Sequence, residues 1–186
     1  MRHALKLHPD SLCPAVSGVD VEVARPRAGT LALSYVVTGM IGDLVLPPIA
    51  ASARADGLWR QTCFEAFVGT SADTAYYEFN LSPSTQWAAY CFDRYRSGMR
   101  VASEIDAPRI EVHAESGSLT LRAWLELDRL SLRFLPGAGG GRRQGWRLGL
   151  SAVIESASGD KSYWALAHPP GRPDFHHADC FALELS

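Results

Sequence analysis

The stretch "WRQTCFEAFVG" (59–69) decides the fold, because its apolar and polar side chains alternate with a period of two. One face of the predicted strand carries Phe64, Ala66 and Val68. The opposite face carries Trp59, Gln61, Cys63, Glu65 and Phe67. "AYYEFNLS" (75–82) repeats the alternation after a short connection, so the two stretches predict a β-hairpin.

The same pattern extends over the whole chain. The predicted strands are 3–8, 18–26, 29–39, 59–69, 75–82, 85–95, 109–115, 118–127, 146–156, 161–167 and 180–186. Turn residues separate them, and "GAGGG" (137–141) is typical of a flexible loop tip rather than a domain boundary. We therefore expect a single all-β domain over 1–186: an antiparallel β-sandwich of about ten to eleven strands, with jelly-roll or immunoglobulin-like layering.

Bulk composition excludes several classes of partner. A net charge of −2 gives no electrostatic reason to bind nucleic acid or an anionic membrane. No run approaches the ~20 apolar residues of a membrane span, and the N-terminus lacks the apolar core of a signal peptide. The four cysteines form no Cys-x-x-Cys pair, so we expect reduced thiols and a cytoplasmic protein.

Two carboxylates fall on one face of the predicted hairpin. If Phe67 lies opposite Tyr76, then Glu65 lies opposite Glu78. A register shifted by two residues instead pairs Glu65 with Tyr76 or Asn80. In either register the carboxylates are cross-strand or diagonal neighbours, with Cβ atoms roughly 5 to 8 Å apart.

Neighbouring like charges need compensation by an arginine, a cation, a shared proton or a ligand that presents hydroxyl groups. We expect the third strand to add Trp87 to this face, beside Asn80. Carboxylate, amide and indole groups together suit a polyhydroxylated ligand. The alternative is an ordinary solvated sheet face.

Two blocks resemble a known family: "LWRQTCFEAFVG…YYEFNLSPSTQWAAYCFDRYRSGM" (58–99) and "SYWALAHPPGRPDFHHADCFALEL" (162–185). They are similar to the DOMON-like domains of bacteria, relatives of the family-nine carbohydrate-binding modules. The resemblance implies a β-sandwich that binds sugar or haem in a pocket on one sheet, usually without catalysis. It also implies that Glu65, Glu78, Asn80 and Trp87 line the pocket and that the loop 168–177 lies near its rim. The predicted ligand-binding residues are Gln61, Cys63, Glu65, Tyr76, Glu78, Asn80, Trp87 and His176.

Haem b is the runner-up ligand, since such a haem takes a His–Met or a His–His axial pair. The candidate axial residues are Met40, Met99, His168, His176 and His177. The absence of Cys-x-x-Cys-His excludes covalently attached haem. The histidines and Asp174 of the loop 168–177 also resemble a metal site in composition, but turn capping is favoured and no metal site is predicted.

Catalysis by the paired carboxylates is a further alternative. One carboxylic acid and one carboxylate would suit a glycosidase, and an isomerase or cyclase stays open. No nucleophile elbow, phosphate loop or dinucleotide fingerprint occurs. We favour non-catalytic binding of a sugar-like small molecule, with Cys63 and Cys91 at the base of the pocket. The sequence leaves open the oligomeric state and whether the loops 93–108 and 135–145 close over the site.

Overall fold

The computed structural model describes residues 1–71, 73–128, 130 and 145–185, and this part of the chain forms twelve strands. They are β1 (Arg2–Leu7), β2 (Val16–Ala24), β3 (Thr30–Gly39), β4 (Cys63–Thr70), β5 (Tyr76–Leu81), β6 (Trp87–Phe92), β7 (Arg100–Val101), β8 (Arg109–Ala114), β9 (Ser118–Glu126), β10 (Trp146–Glu155), β11 (Lys161–Ala165) and β12 (Leu183–Leu185). Each of the eleven predicted segments overlaps one of them. Strand β7 was not predicted, because two residues are too short to show a period.

All strand pairs are antiparallel and follow the order β7-β6-β5-β4-β10-β11-β1-β2-β3-β9-β8. Strand β12 pairs with the start of β10, and β11 pairs with its end. Strand β1 joins the two halves, since its first part pairs with β2 and its last two residues pair with β11. The result is one strongly curled sheet, shaped like a half-barrel. The all-β, antiparallel prediction is confirmed, while two-layered sandwich packing and a single domain over 1–186 stay predictions.

The curl of the sheet brings strands from its two halves into contact around one apolar core. Tyr35 of β3 is fully buried, and its hydroxyl donates a hydrogen bond of 2.7 Å to the backbone carbonyl of Glu65 on β4. Its ring lies 5.0 Å from that of Phe64. The backbone of the strand that carries Glu65 is therefore fixed from the inner side of the sheet.

A second apolar cluster covers the outer face of the same half of the sheet. Phe175 and Phe181 belong to the segment 166–182, here called the cap segment, and pack over residues of β4–β6, β10 and β11. Every residue of β4, β5 and β6 is buried as a result. Strands that are covered on both faces are usually apolar throughout. Glu65 and Glu78 are therefore polar groups beneath a cover, and the interpretation of this surface as a plain solvated face is wrong.

The expectations about membrane spans, cysteines and loops compare with the structure as follows. In the described residues, no helix is long and apolar enough to cross a bilayer. Cys13, Cys63, Cys91 and Cys180 are free thiols. The loop tip 137–141 and residues 135–144 of the predicted covering loop lie outside the described residues.

Candidate functional site

The β4–β5 hairpin adopts the register that is shifted by two residues. Glu65 pairs with Asn80, and Phe67 pairs with Glu78. On the other side of β4, Ser151 of β10 pairs with Glu65. The carboxyl groups of Glu65 and Glu78 are thus diagonal neighbours on the outer face of the sheet.

A cavity of about 380 Å³ lies between these carboxyl groups and the cap segment. Seven of its lining residues are apolar or aromatic, and the four polar ones are Glu65, Glu78, Arg96 and His176. Its volume falls within the range of about 300 to 1,000 Å³ for small-molecule sites. The expectation that the loop 168–177 lies at the site is met by Pro173, Phe175 and His176, which line the cavity.

The two carboxyl groups have different hydrogen-bond environments. Glu78 is better supplied with donors: Asn80 Nδ2 donates to its Oε1 at 2.7 Å, and His176 Nε2 lies 3.7 Å from its Oε2. Glu65 receives one side-chain hydrogen bond, of 3.3 Å, from the hydroxyl of Ser151. The Cys63 thiol lies 3.6 Å from Asn80 Oδ1 and 3.7 Å from the Leu81 carbonyl oxygen, and its one hydrogen is shared between such acceptors.

The neighbours of His176 favour one of its two neutral tautomers. The backbone N–H of Arg96 donates to the Tyr76 hydroxyl at 3.2 Å, which leaves the hydroxyl hydrogen free to donate to His176 Nδ1 at 2.8 Å. A neutral imidazole that accepts at Nδ1 carries its proton on Nε2. The Nε2–H of His176 therefore faces the carboxyl group of Glu78.

Burial shifts the pKa values of Glu65, Glu78 and His176. It raises the pKa of Glu65 well above its usual value, and the negative charge of Glu78 raises it further. Burial also raises the pKa of Glu78, but the Asn80 hydrogen bond and the Arg96 charge oppose that rise. Burial lowers the pKa of His176 to about 4, and Arg96 acts in the same direction. His176 is therefore uncharged at neutral pH, and its contact with Glu78 at 3.7 Å is a neutral N–H near a carboxyl group rather than an ion pair.

Asp174 holds the two loops around the cavity together. Its carboxylate accepts hydrogen bonds from the Arg96 guanidinium at 2.8 and 3.2 Å, from the Tyr95 hydroxyl, and from the backbone N–H of His176. The last contact confirms the capping role that was favoured for this loop. Arg96 itself has a left-handed backbone with φ of 49°. The contacts of Asp174 therefore position the Arg96 guanidinium and the His176 imidazole at the cavity wall.

Seven of the eight predicted site residues occupy three kinds of position, and Trp87 occupies a fourth. Glu65, Glu78 and His176 line the cavity. Asn80 and Tyr76 do not line it but bond to Glu78 and His176, and Cys63 is buried beside Asn80. Gln61 is exposed and precedes β4, so the expectation that it lies in the site is wrong.

The expectation that Trp87 joins the polar face is also wrong. Trp87 pairs with Leu81, and Ala88 pairs with Asn80. Directly paired residues point to the same face, so Trp87 packs in the inner core beneath the sheet. The Arg54 guanidinium lies over its indole, 4.1 Å from the ring centroid. Cys91 shares the inner face, so it does not form the base of the pocket with Cys63.

Trp59 supplies the indole that was assigned to Trp87. It lies on a 3₁₀ turn, Leu58–Arg60, just before β4, and it lines the cavity with 38% of its surface exposed. Its ring meets that of Tyr90 edge to face at 6.1 Å. The alternation in 59–69 placed Trp59 on the side of Glu65, but it placed Gln61 there as well. Trp59 reaches the cavity from a 3₁₀ turn, where a period of two does not apply.

The side chains present do not fit axial ligation of a haem. His176 and Met99 both line the cavity, which makes them the pair to test. Nδ1 of His176 is bonded to Tyr76, and 3.7 Å between its Nε2 and Glu78 Oε2 leaves no place for an iron atom and a porphyrin. No group of three or more His, Cys, Asp or Glu side chains within the described ranges is arranged to hold a metal ion.

Comparison with known proteins shows a likeness in fold. No family model and no curated protein matches the chain. Among solved structures, it is similar to a "putative carbohydrate-binding protein" from Bacteroides uniformis ATCC 8492, with a TM-score of 0.64 and 15% sequence identity. The similarity covers 96% of this chain and 83% of the other. At this identity the likeness shows that the two proteins share a fold.

Proposed function

We propose that the protein binds a small polyhydroxylated molecule, a carbohydrate or sugar-like metabolite, in the cavity above Glu65 and Glu78. The observation that carries the proposal is the pair of buried carboxyl groups in a cavity of about 380 Å³ with an indole at its wall. Burying such groups without a partner is unfavourable, and a ligand with several hydroxyl groups would satisfy their free lone pairs.

Different lining residues would contact different parts of the ligand. Glu78 accepts hydrogen bonds from ligand hydroxyls, while a protonated Glu65 both donates and accepts. The Arg96 guanidinium donates to ligand oxygens. Trp59 covers the apolar C–H face of a sugar ring, a role in which an aromatic plane adds affinity without needing a polar partner.

Two likenesses support this assignment. The solved structure with the same fold bears a carbohydrate-binding description. The blocks 58–99 and 162–185 resemble DOMON-like domains, in which a pocket on one sheet binds the ligand. The blocks contribute Trp59, Glu65 and Glu78 from the sheet side and His176 from the cap segment.

Calorimetric titration with a panel of monosaccharides and their methyl glycosides tests the proposal. Glu78→Gln and Trp59→Ala should each weaken binding at least tenfold, because a hydrogen bond to a charged group and a ring-stacking contact each contribute about 1.5 kcal/mol or more. Glu115→Gln and Trp124→Ala are the matched controls. Glu115 is exposed, and Trp124 lies on β9 in the other half of the sheet.

The two controls should bind like the wild type. Absence of binding by every sugar, or equal weakening in the controls and in the cavity variants, would refute the proposal. A Soret band after addition of haemin that is lost in Met99→Leu would instead favour the haem alternative.

A further inference from the structure

Glu65 and Glu78 line the same cavity, but their surroundings favour different protonation states. Glu78 has the Asn80 amide on one oxygen and the His176 N–H near the other, so its surroundings favour a carboxylate. Within the described part of the chain, the Glu65 carboxyl group receives a side-chain hydrogen bond from the Ser151 hydroxyl alone, at 3.3 Å, and the residue is 4% exposed. Its surroundings favour a carboxylic acid. Two neighbouring carboxyl groups whose environments differ in this way are the pattern of a general acid beside a general base.

We propose that this pair opens and recloses the ring of a reducing sugar, so that the protein interconverts the α and β anomers of the sugar it binds. Glu65 gives its proton to the ring oxygen while the bond between that oxygen and C1 breaks. Glu78 takes the proton of the C1 hydroxyl, and an open-chain aldehyde forms. Rotation about the C1–C2 bond followed by the reverse transfers closes the other anomer. One proton is given, one is taken and both are returned, so no co-reactant is needed.

The placement of the two carboxyl groups favours this reaction over hydrolysis of a glycoside. Both project from the same face of adjacent strands, as diagonal neighbours. The ring oxygen and the C1 hydroxyl are bonded to one carbon, so an acid and a base on one wall can reach them together. A glycosidase instead needs its two carboxyl groups to flank the scissile bond. Among the described residues, the cavity lining holds no third carboxyl group that could flank a bound glycoside from another side.

The inference rests on the proposed sugar site and deepens it, and one experiment separates the two. Freshly dissolved α-D-glucose, α-D-galactose, α-D-xylose and α-L-fucose are followed by polarimetry with and without the protein. Binding of each sugar is measured by calorimetry in the same buffer. At least one sugar that binds should reach its anomeric equilibrium faster with catalytic amounts of protein.

Variants of the two glutamates test which carboxyl group acts as the acid and which as the base. Glu65→Gln and Glu78→Gln should each lower the catalysed rate at least 100-fold, the lower end of the roughly 10²–10⁴ that a general acid or base contributes. Glu115→Gln should leave the rate unchanged. The methyl glycoside of the accepted sugar cannot open its ring, so it should inhibit the wild type competitively. It should still bind Glu65→Gln, and bind Glu78→Gln with the weakened affinity predicted above, and rates of both variants are compared at saturating sugar. Thermal unfolding of both variants shows that they are folded. Competitive inhibition of the wild type tests the site even where a variant fails to fold.

Each outcome has a separate meaning. Binding without any acceleration would overturn the inference and leave the proposed function standing. Absence of binding would overturn the proposed function. Acceleration that survives in both Glu65→Gln and Glu78→Gln would overturn the assignment of the acid and the base.

Discussion

Protonation of His176 destabilises the folded protein, so His176→Gln should make its stability less sensitive to acid. The side chain is 14% exposed, and burial together with Arg96 lowers its pKa from 6.5 to about 4. A group with a lowered folded-state pKa contributes its full stability above the unfolded-state pKa and loses it as the pH falls through the folded-state value. The window of loss therefore runs from pH 6.5 down to about 4.

The difference between 6.5 and about 4 corresponds to about 3 kcal/mol when each pH unit contributes about 1.36 kcal/mol. At pH 5 the unfolded histidine is almost fully protonated and the folded one is mostly neutral. About 2 kcal/mol of the total is then already lost. For a chain of this length, 2 kcal/mol corresponds to a fall in Tm of about 4–8 °C.

Urea unfolding, followed by tryptophan fluorescence at pH 7.5 and pH 5, measures this loss. The drop in the free energy of unfolding between the two pH values should be about 2 kcal/mol smaller for His176→Gln than for the wild type. The carboxyl pair titrates in the opposite direction, but both proteins contain it, so it does not account for the difference. His113→Gln, at an exposed histidine on β8, is the control and should behave like the wild type. Equal drops for the wild type and His176→Gln would refute the reasoning.

Three further predictions follow from the same contacts. Burial raises the pKa of Glu65, so the stability that its protonated form contributes is present at low pH and is lost as the pH rises through the folded-state pKa. In thermal scans, the Tm of Glu65→Gln should therefore rise relative to that of the wild type between pH 5 and pH 8. A constant difference in Tm would contradict this. Tyr35→Phe removes the buried hydrogen bond to the Glu65 carbonyl and should lower the free energy of unfolding by about 1 kcal/mol in urea titrations at pH 7.5; an unchanged midpoint and slope would argue against it. Trp87→Ala should lower the free energy of unfolding by about 3–5 kcal/mol because it leaves a cavity in the inner core. Trp59→Ala should shift Tm by a few degrees at most. Thermal scans that rank the two variants in the reverse order would favour a place for Trp87 on the ligand face.

The fold was largely predictable because alternation with a period of two continues through nearly every strand. This pattern reports which side chains share a face, and turn residues report where the strands end. The order of the strands was not accessible, since it depends on contacts between distant parts of the chain. The contact between Tyr35 on β3 and Glu65 on β4 is one such case. It joins strands that are not neighbours in the sheet and arises only once the sheet curls.

The candidate site was predicted in part, and its errors have one cause. Strand β6, "WAAYCF", has aromatic residues on both faces, because the sheet is covered on both sides there. Polarity then gives no indication of which face is which, and the predicted faces of Trp87 and Ala88 were exchanged. In β4 and β5, Glu65, Glu78 and Asn80 marked the outer face, so the alternation was assigned correctly. Arg96 was not predicted, because its guanidinium is held at the cavity by Asp174, which lies 78 residues further along the chain.

The cap segment explains why carboxyl groups persist on a sheet that is buried on both faces. Phe175 and Phe181 cover the apolar part of the outer face but leave a gap above Glu65 and Glu78. A cover that served stability alone would extend over this gap, and two apolar residues beneath it would avoid the desolvation of two ionisable groups. The protein instead keeps both carboxyl groups and aims the N–H groups of Asn80 and His176 at one of them. That asymmetry has no use in packing, whereas the acid and base roles proposed above for Glu65 and Glu78 would use it.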